Sequence, residues 1–465
     1  MAEPVTAQPS YRALLGVPSL GRVLLAMQIA RISQSMIGIV MILFALQRYN
    51  DTSLAGLVAF ASIFPGLIIS PIAGALLDRH GRVRLIILDY LVAATSLVLV
   101  AILSMSGHLT AGLLVAIVAL AGLTGPLSSS GLRSLFPLLV PEPLWERVNA
   151  VDSNGWVLAT VVGAPLGAVV AQFVGFEVAM IGIAVAYASA ALVMFGAPDP
   201  RTDVASTGNL LRDAWLGLVY TWNNRTLRAL AISLSTMNLS GGVVEIVVPV
   251  LILKHLGMGQ EMVGYMFGLM GAFGVVSAFV SGRIRTEGQE RRMILIPAAG
   301  FTVATAILLW PGSLMPIALS MAVGGLLNGP MDIAMFTMRQ RCTDPAWMGR
   351  AFTVSMNLNF SGFPIGAALA GIMVSVWPVE VAIAFGVAAN ALGALLGYVL
   401  IPRGSVDAGV ADPGAGGELG PVSRDSKRPG GYARPPNSQL GVTGPAATTR
   451  AAPPLAPPRN RACGG

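Results

Sequence analysis

The sequence predicts an all-α integral membrane protein with twelve transmembrane helices, arranged as two six-helix pseudo-repeats. Three observations predict it: recurring apolar runs, positive charges confined to every second loop, and motifs that return in the second half of the chain. Of the 465 residues, 54% are hydrophobic and 11% are charged, whereas about a quarter are charged in a soluble domain. We therefore expect lipid, not water, to be the main solvent of this chain.

The apolar runs have the length of membrane-spanning helices. A hydrocarbon core of about 30 Å requires about 20 apolar residues per helix. Runs of this kind, separated by short polar breaks, lie at 23–47, 53–77, 85–106, 109–132, 150–173, 177–196, 227–252, 262–282, 292–311, 314–338, 351–377 and 380–401. They predict five parts: a cytoplasmic segment 1–20, a six-helix half 21–196, a cytoplasmic linker 197–226, a second half 227–402 and a disordered cytoplasmic tail 403–465.

Positive charges alternate between the loops. With a cytoplasmic N-terminus, Arg48 and Lys254 are the only Lys or Arg in outside loops. The inside loops hold Arg79, Arg82, Arg84, Arg133, Arg147, Arg201, Arg212, Arg225, Arg228, Arg283, Arg285, Arg291, Arg292, Arg339, Arg341 and Arg350. This positive-inside bias predicts a multi-pass protein of the inner (cytoplasmic) cell membrane with both termini in the cytoplasm. The net charge of +7 thus reflects topology, and we expect no nucleic-acid partner.

Short motifs return at intervals of 204, 202 and 199 residues. The pairs are Gly125-Pro126 with Gly329-Pro330, Pro143-Leu-Trp145 with Pro345-Ala-Trp347, and the 163–168 segment with 362–367. Motifs that return in the same order indicate a duplicated unit in parallel orientation, and transporters place their substrate site between such repeats. We expect close helix contacts in the bundle interior at Gly163, Pro165, Gly167, Gly362, Pro364 and Gly366, where proline can also bend the helix. The alternative is plain tight packing.

The loop after the second apolar run reads Gly74-Ala-Leu-Leu-Asp78-Arg79-His80-Gly81-Arg82-Val-Arg84. It resembles the signature of the major facilitator superfamily, and the likeness covers about residues 20–402. The resemblance implies secondary transport by alternating access, with this loop holding the halves together on the cytoplasmic side in the outward-open state. It assigns that role to Asp78 and Arg82, with Asp89 or Asp152 as possible partners; the alternative is a merely topological charge cluster. The cytoplasmic gating loop is then Gly74, Asp78, Arg79, Gly81, Arg82, Arg84, Asp89 and Asp152.

Two exporter motifs of the family are incomplete. Ala164-Pro165-Leu-Gly167-Ala168 matches the helix-five pattern Gly-Pro-x-x-Gly-Gly only in part, and Arg133 comes too late for the helix-four arginine motif. The stretches 133–150 and 341–350 are more similar to the siderophore and macrolide exporter branch. We therefore expect proton-coupled efflux of a small apolar or amphipathic molecule. The alternatives are an importer of a metabolite and a non-transporting membrane sensor of the same fold.

Two helices carry polar side chains at helical spacing. Gln28, Arg31 and Ser35 share one face of the first segment, and Ser235, Asn238, Gly242 and Glu245 share one face of the seventh. One hypothesis is that both faces line a central cavity, where Arg31 attracts an anionic substrate group and Glu245 or Asp332 accepts the coupling proton. Charged groups in membrane helices are costly and usually functional. The alternatives are a structural ion pair at Arg31, and positions too near the membrane surface for the two carboxylates.

Other function classes lack the residues they need. A phosphate-binding loop requires Gly-Lys-Ser or Gly-Lys-Thr, but the only lysines are Lys254 and Lys427, outside that context. Cys342 and Cys463 are far apart, and all three histidines lie in loops. We expect no enzyme activity, no metal and no cofactor. The expected partners are the lipid bilayer, a small-molecule substrate and protons, and we expect a monomer that works as an antiporter.

Overall fold

The computed structural model describes residues 11–141, 144–199, 210–281, 288–310, 312–343 and 348–402. The predicted tail, 403–465, and most of the predicted N-terminal segment, 1–20, lie outside these residues. The described part of the chain is helical, without β-strands. This agrees with the predicted all-α membrane class.

The first half contains α1 Tyr11–Leu15, α2 Leu20–Arg48, α3 Thr52–His80, α4 Arg82–Met105, α5 Ala111–Leu139, α6 Trp145–Val174 and α7 Phe176–Met194. The predicted linker includes a further helix, α8 Leu210–Asn223. The second half contains α9 Arg225–Val250, a π-helical turn Leu251–His255, α10 Gln260–Ser281, α11 Glu290–Ile307, α12 Leu314–Arg341, α13 Met348–Phe360, α14 Gly362–Val376 and α15 Val379–Leu400.

In the described residues, eleven helical segments are long and apolar enough to cross a membrane. The predicted ninth span corresponds to α11, which has 18 residues and begins with Glu290, Arg291 and Arg292. These three charges shorten its apolar part. The predicted eleventh span, 351–377, consists of α13 and α14 with a break at Ser361. The prediction of twelve spans is consistent with this helix order.

Side-chain caps explain where several helices begin. The Asp51 carboxylate accepts the backbone N–H of Ser53 at 2.8 Å and of Leu54 at 3.2 Å at the start of α3. Asn224 accepts the N–H groups of Thr226 and Leu227, both at 3.1 Å, at the start of α9. Such caps satisfy donors that have no partner inside the helix.

Within each half, glycines bring the first and fifth spans together. A Cβ atom on Gly163 of α6 would lie 2.5 Å from Cβ of Ser35 on α2, and Gly167 packs in the same way against Met36. In the second half, Gly362 of α14 lies against the Ser235 carbonyl of α9. Gly366 and the buried Pro364 belong to the same contact. The repeated motif therefore occupies the same place in both halves.

The two halves meet at the end of the bundle that carries the 49–51 connection. Gly56 of α3 packs against Ala367 and Gly371 of α14. Pro165 of α6 packs against Gly264 and Gly268 of α10. Residues 39–46 of α2, at this same end, are all buried, whereas Gln34 and Gly38 near the middle of α2 are exposed. The bundle is therefore closed at this end.

Candidate functional site

Arg31 forms a buried ion pair between α2 and α6. Its Nη2 atom lies 2.6 Å from Oδ1 of Asp152, and its Nη1 atom donates to the Asp152 carbonyl at 2.7 Å. The guanidinium also stacks on the Trp156 ring, 4.8 Å from its centroid, a favourable cation–π contact. This geometry matches the structural ion pair, one of the two interpretations of Arg31 from the sequence.

The other residues on this face of α2 also point at α6. Gln28 donates from Nε2 to the Gly155 carbonyl at 3.2 Å, and Ser35 lies against Gly163. A Cβ atom at Gly155 would lie 2.6 Å from Oε1 of Gln28. The polar face of the first span thus makes a helix contact, which differs from the expectation that it lines open space.

Arg133 brings a second positive charge to Asp152. From the inner part of α5, its Nε atom lies 3.9 Å from Oδ2 of Asp152, while its side chain is 59% exposed. The sequence assigned Arg133 to a loop, but it belongs to the helix. Its contact joins residues 19 positions apart on different helices, and helical periodicity gives no signal for such a pair.

The loop predicted to act as a cytoplasmic gate is held by a residue that sequence reasoning missed. Gly81 adopts φ 93°, a conformation that favours glycine, and the backbone N–H of Arg82 donates to Oδ1 of Asp199 at 2.9 Å. Asp199 follows α7 and therefore caps α4 across 117 residues of sequence. The Arg82 side chain donates from Nε to Ser134 Oγ at 3.1 Å.

The remaining residues predicted for the gating loop differ in exposure and in their partners. Arg79 and Arg84 are exposed. The surroundings of Gly74 and the side chain of Asp78 lie outside the described part of the structure. Asp89 was expected as a partner of the loop, but it interacts by hydrogen bonding with Ser128 and Thr124 of α5. The other expected partner, Asp152, is bound by Arg31 in this conformation.

The polar face of the seventh span packs against the eleventh. Ser235 Oγ lies 3.2 Å from Ser361 Oγ. Asn238 Nδ2 donates to the carbonyl and to Oδ1 of Asn359, at 2.9 and 3.2 Å. Gly242 lies against the backbone of α14. Three of the four residues expected to line a cavity therefore form a helix contact, as on the first span.

Glu245 and Asp332 lie inside membrane helices, whereas Glu261 and Glu380, which also make no hydrogen bond or ion pair in the described residues, lie in the first turns of α10 and α15. Glu245 of α9 is half-buried and Asp332 of α12 is exposed. In the residues that the structure describes, neither makes a hydrogen bond or an ion pair. Asp89 and Asp152, in contrast, are occupied by protein partners.

A buried arginine lies on the same helix as Asp332. Arg339 is fully buried in α12 and donates from Nε to Ser355 Oγ at 3.0 Å and from Nη1 to Met356 Sδ at 2.9 Å. It follows Asp332 by seven residues, about two turns, on the same helix. The sequence placed Arg339 in a loop, because its helix extends beyond the apolar run that ends at 338.

No group of three or more His, Cys, Asp or Glu side chains that could hold a metal ion occurs in the described parts of the chain.

Comparison with known proteins connects this architecture to a family. Residues 23–362 match the model of the Major Facilitator Superfamily. The uncharacterised MFS-type transporter y4rN of Sinorhizobium fredii is 34% identical over 374 residues, which is 79% of this chain and 91% of that protein. The multidrug efflux pump Tap of Mycobacterium tuberculosis is 27% identical over 338 residues, 70% of this chain and 80% of Tap.

Solved structures share the fold. The nucleoside transporter NupG aligns with a TM-score of 0.65 at 10% identity, over 82% of this chain and 98% of NupG. A bacterial homologue of the iron transporter ferroportin in its inward-facing state aligns with a TM-score of 0.61 at 16% identity, over 81% of this chain and 97% of that one. The chain belongs to the Major Facilitator Superfamily and is a multi-pass membrane transporter, not an enzyme.

Proposed function

We propose that this transporter is a proton-coupled exporter that moves a small apolar or amphipathic molecule, such as a drug, siderophore or secondary metabolite, by alternating access. It works as a monomeric antiporter in the cell membrane, with both termini in the cytoplasm. The efflux direction is supported by the relation to Tap, a multidrug efflux pump with which it shares 27% identity.

The observation that carries the coupling proposal is that Glu245 and Asp332, inside α9 and α12 and not in a first helical turn, make no hydrogen bond or ion pair in the described residues. Removing an unpaired carboxylate from water is costly, and a proton or a cationic substrate group removes that cost. Glu245 is half-buried already, whereas the exposed Asp332 would bear this cost when the bundle closes around it. Asp89 and Asp152 already have protein partners and do not need a proton for this purpose. Glu245 and Asp332 are therefore the groups that alternately bind a proton and release it, or exchange it for substrate.

The positions of the two carboxylates suit that role. Asp332 lies across α12 from the exposed Leu319. Arg339, about two turns further along α12, is hydrogen-bonded to Ser355 of α13. The exposed Leu319 suits lipid, so Asp332 faces the space between the halves. Glu245 follows the α9–α14 contact at Gly242, one helical turn further toward the closed end.

The proposed orientation in the membrane decides whether the present conformation opens to the cytoplasm or to the outside. If the 49–51 connection lies outside, as the loop charges predict, the halves are closed on the outside and the bundle opens to the cytoplasm. Substrate would then enter from the cytoplasm, next to the exposed Asp332 and Arg133. Arg31, whose guanidinium is occupied by Asp152, is proposed to hold α2 against α6.

Reconstitution into proteoliposomes with an imposed pH gradient tests the proposal. A panel of cationic, neutral and anionic drugs should show at least one compound that moves against the proton flow. Asp332→Asn or Glu245→Gln should abolish the response to the gradient, while Glu380→Gln, an exposed carboxylate at the start of α15, should not. Equal gradient-driven flux in both site variants would remove the two carboxylates from the mechanism.

The same assay separates the alternatives. Movement of a compound with the proton flow would identify an importer. Binding of compounds without any flux, in protein shown to be folded and inserted, would identify a sensor of the same fold.

A further inference from the structure

Helix α8 has one face against the protein and one face without a protein partner among the described residues. Gly217 and Thr221, one turn apart, are buried. Trp215 and Trp222 are 62% and 51% exposed, and their spacing of seven residues places them on one face of the helix, away from Gly217. Two large indole side chains in this arrangement form an apolar surface that water solvates poorly.

The depth of α8 is set by its connection to the membrane helices. Only Asn224 separates α8 from the membrane-spanning α9. Asn224 caps α9 and donates from Nδ2 to the Cys342 carbonyl, at the end of α12, at 2.8 Å. Arg228 Nη1 of α9 donates back to the Trp222 carbonyl at 3.0 Å. Trp222 is therefore held at the level where two membrane helices end.

This is the depth that tryptophan prefers in membrane proteins. Its ring is apolar and its N–H is a hydrogen-bond donor, so Trp is enriched at the boundary between acyl chains and headgroups. An amphipathic helix with Trp on its apolar face lies in that boundary, parallel to the membrane. The exposed face of α8 thus has the chemistry of an interfacial helix.

Nearby charge favours anionic headgroups. Arg225 is exposed directly after α8, and Arg228 is half-buried one turn further. The sequence of α8 itself contains one Arg and one Asp, which cancel. Basic residues next to a membrane helix attract anionic lipids of the cytoplasmic leaflet.

The buried side of α8 touches both halves of the transporter. It contacts α3 of the first half and α13 of the second. The halves now meet at the opposite end of the bundle, so alternating access requires the ends near α8 to approach each other. A helix between them that is fixed in the membrane surface would influence that movement.

We propose that α8 docks on the anionic headgroup region of the inner leaflet through Trp215 and Trp222, and that this docking adjusts how readily the cytoplasmic end of the transporter closes. The inference concerns regulation and goes beyond the proposed efflux function. Its binding step is measurable without any transport substrate.

Docking is tested with the full chain in vesicles of phosphatidylcholine that contain phospholipids brominated near the headgroup or deep in the acyl chains. The chain has seven Trp residues, so the signal of interest is the difference between the unmodified chain and Trp215→Phe/Trp222→Phe. This difference should be quenched more strongly by shallow than by deep bromines. A difference signal that neither lipid quenches would show both indoles in water and overturn the proposal.

The anionic preference is tested with phosphatidylglycerol added to the same vesicles, at roughly the anionic fraction of a cytoplasmic leaflet. The ratio of transport rates in anionic and neutral vesicles should fall by up to about fivefold in Arg225→Gln, since one basic residue near such a surface contributes about that factor. Trp215→Ser/Trp222→Ser should lose the lipid dependence, whereas Trp310→Ser, an exposed Trp at the other end, should keep it. Equal rates in both lipids for the unmodified chain would contradict the regulatory part.

The quenching and flux measurements distinguish a failure of the lipid-docking proposal from a failure of the efflux proposal. Shallow quenching without proton-driven flux would leave lipid docking intact and remove the efflux proposal. Cross-linking of the Trp215→Cys variant to a second copy, in place of lipid quenching, would identify another protein as the occupant and overturn the lipid assignment.

Discussion

The Arg31 guanidinium and the Asp152 carboxylate meet at 2.6 Å with side chains that are 5% and 10% exposed. This pair joins the first and fifth spans of the first half. In the second half, α9 and α13 are joined by the uncharged amides of Asn238 and Asn359, which lie closer to the Gly362 contact than Arg31 and Asp152 lie to the Gly163 contact. Both halves therefore join their first and fifth spans through polar side chains, but by an ion pair in the first half and by amides at another level in the second.

Breaking this pair should destabilise the protein. Asp152→Asn is expected to lower the free energy of unfolding by about 3 to 5 kcal/mol, because it leaves the buried Arg31 charge without its partner. Arg31→Gln should cost less, since Arg133 Nε still lies 3.9 Å from Asp152. The double variant Arg31→Met/Asp152→Leu should lose much less. Unfolding in mixed detergent micelles, followed by tryptophan fluorescence, measures the difference. A double variant as unstable as the sum of the single variants would contradict a coupled pair.

Arg48→Gln provides the control for this series. Arg48 is exposed at the end of α2 and donates to a backbone carbonyl at 3.4 Å. Its replacement should change the free energy of unfolding by less than about 1 kcal/mol. A comparable loss in this control would indicate a general sensitivity to charge removal.

Enlarging the glycines at the closed end should disfavour the present conformation. Gly56 and Gly371 face each other, with 3.0 Å between a Cβ atom on Gly56 and Cα of Gly371. Gly56→Leu should raise the free energy of this conformation by about 1 to 3 kcal/mol, since added side-chain volume has no space there. Spin labels on α3 and α14 should then report a larger separation. Gly182→Leu, at a position open to its surroundings, should leave that separation unchanged.

Loss of the remote cap should loosen the gating loop. Asp199→Ala removes the acceptor of the Arg82 N–H and should cost about 0.5 to 2 kcal/mol, as for other helix caps. Trypsin should cleave faster after the exposed Arg79 and Arg84. Asp199→Asn retains an acceptor oxygen and should be cleaved at nearly the original rate, so equal acceleration in both variants would show that capping is not the cause.

The loop charges also predict which side each loop faces. In a Cys342→Ser/Cys463→Ser background, a cysteine at Ser106 should react with a membrane-impermeant thiol reagent on intact cells. A cysteine at His80 should react only after the membrane is opened. The reverse pattern would show that the orientation is opposite to the one proposed, and that the present conformation opens to the outside of the cell.

Most of the fold was predictable because the bilayer imposes simple rules on sequence. The length of the apolar runs, the charges in the loops and the return of the Gly163 motif at Gly362 depend only on residue type and spacing along the chain. The helix α8 inside the linker was not predicted, because it is shorter than a span and has two polar residues in its first turn. The predicted ninth span, α11, was recognised from its apolar run despite the charges at its start.

The site was predicted in part. Periodicity placed Gln28, Arg31 and Ser35 on one face, and Ser235 and Asn238 on another, and the structure shows both groups on shared faces. What those faces contact depends on the neighbouring helix, which periodicity does not specify. For the same reason the partners Asp152 and Asp199, 121 residues from Arg31 and 117 from Arg82, were not assigned to them.

The sequence alone determined the class of the protein: a membrane transporter with duplicated six-helix halves and a charged loop after the second span. These features depend on residue type and spacing along the chain. The tertiary structure decided which charges are satisfied, pairing Arg31 with Asp152 while Glu245 and Asp332 make no hydrogen bond or ion pair in the described residues. Whether a charge is paired depends on distances of a few ångströms between helices, and only packing in three dimensions sets those distances.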